Sequence, residues 1–147
     1  PAPEKEWGQR FLTELGLDSY WVIHPGMGGS AENWPLQNYR ILAEELLKEG
    51  RNLLITVGPQ DDAVREAFRS LEHSRLRKLE ELALPQLAFV LGHAELVIAP
   101  STGPLHLAAA LGVPVAGFYP SSPQVETARR WGPRGAHPGS IVLTPEE

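Results

Sequence analysis

The sequence predicts an α/β fold in which helices flank a parallel sheet. Short apolar runs alternate with helical patterns along the chain and give the order βαβαβαβ. The run NLLITV, residues 52–57, is apolar almost throughout, as expected of a strand that is covered on both faces. The 147 residues, of which 42% are hydrophobic, suffice for one compact core.

The first 18 residues are predicted to form a connecting helix. Their apolar side chains recur at helical spacing between Pro-rich ends, at Trp7, Phe11, Leu12 and Leu15. The run SYWVI, residues 19–23, then combines aromatic and β-branched side chains and stops at Pro25 and Gly26. We therefore expect a connecting segment over 1–18, and one domain over 19–147 that begins with a strand.

Three further β/α steps follow. Residues 36–50 have helical periodicity and end at Gly50, a residue suited to the position after a helix. After the strand at 52–57, the segment DDAVREAFRSL predicts a helix whose leading acids suit its N-terminal dipole. Weaker patterns predict a strand at 75–79 and a helix from about Pro85.

From Ala94 to Pro120 the alternation of strand and helix patterns is clearer. The segment AELVIAP predicts a strand, LHLAAALG a helix, and VPVAGFYP another strand. The run IVL at 141–143 is a candidate final strand after a loop rich in Pro, Gly and Arg.

Composition excludes several classes of function. The net charge of −5 gives no general attraction to nucleic acid, so we expect no nucleic-acid partner. The absence of cysteine excludes disulfides and thiolate metal sites, and the five histidines lack ligand spacing, so no metal is expected. No signal peptide or membrane span is recognisable, which favours a cytoplasmic protein.

In open parallel sheets, ligands bind beyond the carboxyl ends of the strands, where three loops would meet. These loops are HPGMGGSAENWP, GPQDD and APSTGPLH. Glycines 26, 28 and 29 would allow positive φ and a close approach of a ligand to backbone N–H groups, and phosphate is the natural ligand. The alternative is that the loop needs only tight turns, since neither the P-loop nor the dinucleotide fingerprint is present.

The segment APSTGPLHLAAALG predicts an anion site at a helix N-terminus. Thr102 or Gly103 can cap a helix whose first residue is Pro104, with Ser101, Thr102 and His106 as side-chain donors. The alternatives are ordinary capping and a histidine wedged beside the loop. A Ser101 nucleophile with His106 as its base is disfavoured, because the glycine pattern of a nucleophile elbow is missing.

The pair of motifs HPG-x-GGSA-x-NWP and TGP-x-HLAAALGVPV resembles the C-terminal half of glycosyltransferase family 9, the ADP-heptose:lipopolysaccharide heptosyltransferases. The resemblance covers residues 20–133. It implies the two-domain GT-B architecture, in which a Rossmann-like C-terminal domain holds the nucleotide-sugar donor. The other Rossmann-like domain holds the acceptor and the catalytic base. The chain therefore looks like the donor domain alone, and the resemblance implies no catalytic residue in it.

The same resemblance implies the positions of the donor site. The diphosphate and sugar would face two groups of residues: Met27, Gly28, Gly29 and Ser30, and Ser101, Thr102, Gly103, Pro104 and His106. Asp61 or Asp62 falls near an acid that the family uses on the ribose, and Leu82 falls where an apolar side chain flanks the base. No cofactor is implied.

Two positions depart from the family pattern. Glu32 stands where the family often has Lys, and Ser101 stands where it often has Asp. A Lys to Glu exchange near a diphosphate turns attraction into repulsion, at a cost on the order of 1–4 kcal/mol. Arg129, Arg130 and Arg134 are candidate replacement cations, although a solvated basic surface is the slightly favoured interpretation of that cluster.

Two functions follow from these observations. The first is the donor domain of an inverting glycosyltransferase that acts in lipopolysaccharide or cell-surface glycan synthesis, without a metal. Its partners would be an ADP-heptose-like donor and, through the other domain, a glycan or lipid-linked acceptor, with the full protein at the inner face of the cytoplasmic membrane. The alternative is a non-catalytic nucleotide-binding or interaction module that kept the fold and lost the donor-site charges. In either case His24, Gly58 and Pro100 should lie at one edge of the sheet, and the isolated chain should not catalyse transfer.

Overall fold

The computed structural model describes residues 3–26, 34–100, 103–118 and 141–143. Within these ranges it contains five helices and six strands. In chain order they are α1 (Pro3–Leu15), β1 (Trp21–Ile23), α2 (Leu36–Lys48), β2 (Leu53–Val57), α3 (Asp62–Phe68), β3 (Leu76–Glu80), α4 (Leu84–Gly92), β4 (Leu96–Pro100), α5 (Gly103–Ala110), β5 (Val115–Phe118) and β6 (Ile141–Leu143). The predicted α/β alternation is confirmed, including the weak strand β3 and the candidate strand β6.

All neighbouring strands in this sheet are parallel, in the order β3-β2-β1-β4-β5-β6. The chain adds β2 and β3 on one side of β1 and then returns to place β4 on the other side. The strand order therefore reverses between β1 and β4. Open α/β sheets bind ligands beyond the carboxyl ends of the strands next to such a reversal.

Side-chain alternation along the strands divides the core between two helical layers. Val22, Leu54 and Val97 face the layer of α1, α4 and α5. Ile23, Ile55 and Ile98 face the layer of α2 and α3. Because both faces are covered, all five residues of β2 are buried, as the apolar run predicts.

Hydrogen bonds close the C-terminal ends of α2 and α3. Gly50 has φ of 86°, and the Gly50 and Arg51 N–H groups donate to the carbonyls of Leu47 and Leu46, so Gly50 follows α2 as predicted. The Lys78 ammonium donates to the carbonyls of Phe68, Arg69 and Leu71 and so caps the C-terminal end of α3. These contacts fix the layers that support the sheet edge.

Helix α1 packs on α4 through aromatic rings. The ring of Trp7 stacks on that of Phe11 with centroids 5.1 Å apart, and both meet Phe89 edge-on. A Cβ on Gly8 would lie 2.3 Å from the Phe89 ring, so a larger residue here would force the ring or the helix to shift. The predicted connecting helix is thus part of one packed layer.

Candidate functional site

A cleft of about 220 Å³ opens at the carboxyl edge of the sheet. It is bounded by the ends of β1, β2 and β3 and by the first turns of α4 and α5. The lining residues are His24, Thr56, Val57, Gly58, Pro59, Leu79, Glu81, Leu82, Leu87 and Pro104. β1 ends at Ile23, β2 at Val57 and β4 at Pro100, all in the same direction. The prediction that His24, Gly58 and Pro100 share one edge is confirmed.

Two buried polar residues of the cleft lie side by side. Ile23 pairs with Ile55 in the sheet, so the next residues along, His24 and Thr56, are neighbours on the α4/α5 face. His24 Nδ1 lies 2.7 Å from Thr56 Oγ1, and the His24 N–H donates to the Ile98 carbonyl at 2.9 Å. The two residues are only 7% and 2% exposed. This hydrogen-bonded pair offers polar groups to a cleft whose other walls are largely apolar.

Burial lowers the pKa of His24, and the nearby negative charge of Asp61 opposes this effect. The imidazole is therefore neutral at neutral pH. A neutral ring has one donor nitrogen and one acceptor nitrogen, so it can bind a polar group without placing a cation in the cleft.

The apolar wall of the cleft depends on an unusual backbone turn. Glu81 has φ of 55°, the only positive φ outside glycine among the described residues, and its N–H donates to the Val57 carbonyl at 3.2 Å. This turn directly precedes Leu82, whose side chain lines the cleft together with Leu79 and Leu87. The predicted base-flanking residue Leu82 therefore lies at the cleft.

Helix α5 starts beside the cleft at Gly103, one residue earlier than predicted. Pro104, the second helical residue, lines the cleft, and Leu105 is fully buried in the core. Since Pro104 has no N–H, Gly103 and Leu105 provide the first-turn N–H groups that have no acceptor within the helix. His106 is half-buried and lies three residues after Gly103, on the same helical face.

The two candidate ribose acids have different surroundings. The Gly58 N–H donates to Asp61 Oδ2 at 3.1 Å, and Asp61 is not among the residues that line the cleft. The Asp62 carboxylate is 92% exposed and accepts from Arg65 Nη1 at 2.5 Å. Neither carboxylate lines the cleft.

The prediction of positive φ at Gly26 is wrong. Positive φ occurs at Gly16, Gly50 and Gly112 among the described glycines, but not at Gly26. The reason for glycine at this position is space, since a Cβ on Gly26 would lie 2.0 Å from Asp61 Oδ2.

Several candidate residues lie outside the described part of the chain. They are Met27, Gly28, Gly29, Ser30 and Glu32 in the first loop, Ser101 and Thr102 before α5, and Arg129, Arg130 and Arg134 in the late loop. Their predicted roles stay predictions.

Sequence reasoning missed the polar part of the cleft. His24 was placed only as a marker of the sheet edge, and Thr56 and Glu81 were not considered. A signal for the first two is present in the sequence, because each is a polar residue at the end of an apolar strand, and the strands are neighbours. The contribution of Glu81 depends on a turn that no local pattern indicates.

The described residues contain no group of three or more His, Asp or Glu side chains placed to hold a metal ion. None of their helices combines the length and apolar character needed to cross a membrane.

Comparisons with known proteins agree with this fold. Residues 5–142 match the family described as glycosyltransferase family 9 (heptosyltransferase). A Haemophilus influenzae protein named as a glycosyltransferase is 39% identical over 130 residues, which cover 84% of this chain and 37% of that protein. The chain thus spans little more than a third of this relative's length.

Solved structures share the same fold. The structure of a family 9 glycosyl transferase from Veillonella parvula superimposes with a TM-score of 0.80 at 22% identity, over 99% of this chain and 41% of that one. The Escherichia coli heptosyltransferase WaaC with ADP gives a TM-score of 0.71 at 24% identity, over 93% of this chain and 42% of that one. The match of the family over most of the sequence, together with this fold, shows that the chain belongs to glycosyltransferase family 9.

Proposed function

We propose that the chain is the donor-binding, C-terminal domain of a heptosyltransferase-like enzyme with the two-domain GT-B architecture. The observation that carries the proposal is the cleft, in which apolar walls and the buried His24–Thr56 pair lie beside the N-terminus of α5. An apolar slot next to a source of free N–H groups suits a nucleoside diphosphate, which joins a planar base to an anionic group. The WaaC structure, which contains ADP, supports a nucleotide ligand.

In this proposal the nucleoside occupies the cleft and the diphosphate lies at α5. Leu82 packs against one face of the base, and the N–H groups of Gly103 and Leu105 donate to phosphate oxygens. Pro104 separates the two parts of the ligand. The side chains of Ser101, Thr102 and His106 and the backbone of Gly28–Ser30 would complete the site, as the sequence motifs predict.

The chemistry follows from the charge that develops during transfer. The bond between the anomeric carbon and the diphosphate oxygen breaks as the acceptor hydroxyl attacks, so negative charge grows on the leaving diphosphate. N–H groups fixed at a helix N-terminus stabilise that charge without reorganising. The base that takes the hydroxyl proton belongs to the acceptor domain, so this chain alone should turn over no donor.

The proposal extends to the setting of the full protein. The acceptor is a glycan or lipid-linked glycan of lipopolysaccharide or cell-surface synthesis, held by the other domain. The enzyme acts in the cytoplasm, at the inner face of the cytoplasmic membrane.

The competing function is a non-catalytic nucleotide-binding module. It is favoured by Glu32 and Ser101, which replace the residue types that the family often has there. Calorimetric titration of ADP, UDP and GDP, together with an assay of sugar transfer, separates the two. We expect weak binding of ADP by this chain, tighter binding by a protein that includes the upstream half, and sugar transfer only by the latter. Diphosphate binding without transfer by the longer protein would favour the module.

A further inference from the structure

The Asp61 carboxylate joins two loops at the carboxyl edge of the sheet. It accepts a hydrogen bond from the Gly58 N–H at 3.1 Å, and the Asp61 N–H in turn donates to the Gly58 carbonyl at 3.2 Å. The turn after β2 is therefore closed by a reciprocal pair of hydrogen bonds. This turn contributes Gly58 and Pro59 to the cleft.

The same carboxylate lies against the segment that follows β1. A Cβ on Gly26 would be 2.0 Å from Asp61 Oδ2 and 2.3 Å from its Cγ, so the carboxylate occupies the space that any larger residue would need. Gly26 is buried and follows the cleft residue His24 by two positions. Asp61 thus contacts both loops, although it does not line the cleft.

We propose that Asp61 is a positioning residue, which fixes Gly26 against the turn at Gly58 and so holds the cleft-lining backbone of both loops without touching the donor. The inference rests on the proposed function, because the ligand of the cleft is taken to be a nucleoside diphosphate. It differs from the ribose contact that the family resemblance implies for an acid at this position. Asp61 acts instead through Gly58, Gly26 and His24.

A set of ligands that lack one hydroxyl distinguishes a positioning role from direct ribose contact. We would titrate ADP, 2′-deoxy-ADP and 3′-deoxy-ADP into the wild-type chain and into Asp61→Ala. A positioning role predicts that Asp61→Ala weakens all three by the same factor, about fivefold if one hydrogen bond is lost. Loss of affinity for ADP alone, with one deoxy ligand unaffected, would overturn the proposal.

Two further variants control for shape and charge. Asp61→Asn keeps the side-chain shape and an oxygen that can accept from the Gly58 N–H, so it should retain most of the wild-type affinity for ADP. Glu66→Ala removes an exposed carboxylate from α3, the helix that Asp61 directly precedes, and should leave the affinity within about twofold. A loss in Asp61→Asn as large as in Asp61→Ala would contradict a role in holding the turn.

A double-mutant cycle tests the contact with Gly26 in the free protein. Gly26→Ala should lower the melting temperature because its methyl group meets the carboxylate. In the Asp61→Ala background that space is free, so Gly26→Ala should cost clearly less. Equal costs in the two backgrounds would overturn the proposal. If the wild-type chain and the longer protein bind no ADP, the proposed function fails while this cycle still reports on the contact.

Discussion

His24 Nδ1 and Thr56 Oγ1 lie 2.7 Å apart, although 32 residues separate them in the sequence. The pair forms because β1 and β2 are adjacent and in parallel register, so the residue after Ile23 meets the residue after Ile55. Both groups are nearly inaccessible to solvent, and each is paired with the other at the base of the cleft.

Stability should depend on pH through His24. Burial lowers its pKa in the folded state below the unfolded value of about 6.5, so the unfolded chain binds this proton first as pH falls. The contribution of the neutral imidazole to the free energy of unfolding is fully present above about pH 6.5. As the pH falls from about 6.5 toward the folded-state pKa, this contribution is lost, with a slope of up to about 1.4 kcal/mol per pH unit. Urea unfolding at several pH values should show a smaller slope for His24→Asn than for wild type. Equal slopes would mean that His24 is not the titrating group.

Leu82 should be required for nucleotide affinity. Leu82→Asp places a charge on the apolar wall beside the proposed base and should weaken ADP binding at least tenfold, since burial of a leucine side chain is worth about 1.5–3 kcal/mol. Ile41→Asp is the matched control, because Ile41 is 49% exposed on α2, in the opposite layer. Calorimetric titration of ADP into both variants gives the two affinities. Similar affinities in the two variants would exclude Leu82 from the base site.

Glu32→Lys should tighten binding of a nucleoside diphosphate. Glu32 lies outside the described residues, and no Lys or Arg occurs between His24 and Asn38, so this segment has no cation for the phosphates. Replacing the negative charge by a positive one should raise the affinity about tenfold, and added salt should reduce this increase. Titration of ADP into both proteins at two salt concentrations measures this. An unchanged affinity at low salt would place Glu32 away from the diphosphate.

Gly8→Ala should destabilise the protein, although alanine favours helices over glycine by about 1 kcal/mol. The added methyl group would meet the Phe89 ring at 2.3 Å, and that ring is held by Trp7, Phe11 and His93. A loss of about 1–3 kcal/mol is expected from overpacking. Gln9→Ala, at an exposed position of the same helix, is the control, and urea denaturation gives both values. A stabilised Gly8→Ala would show that α1 does not pack closely on α4.

Much of the fold could be predicted because its strands are nearly continuous apolar runs between helical patterns. β2 is an example, since its five buried residues were recognisable without any knowledge of their neighbours. The shared edge of His24, Gly58 and Pro100 followed from parallel topology alone. Local pattern therefore sufficed for the elements and for the edge at which the loops meet.

The reasons for individual site residues could not be predicted in the same way. Gly26 was assigned to positive φ, yet the space taken by Asp61, 35 positions later, explains it. At Glu81 the backbone has φ of 55°, and its N–H donates to the carbonyl of Val57, a residue on another strand. Both are contacts between distant segments, which the periodicity of a single element does not encode.

The most direct test of the central claim is to locate ADP on the protein by NMR. We predict that ADP shifts the backbone amide signals of His24, Gly58, Leu82 and Gly103, which surround the cleft and the start of α5, while the signals of α1 stay in place. Shifts confined to another surface, or no shifts in either this chain or a protein with the upstream half, would contradict the assignment of the cleft as the donor site.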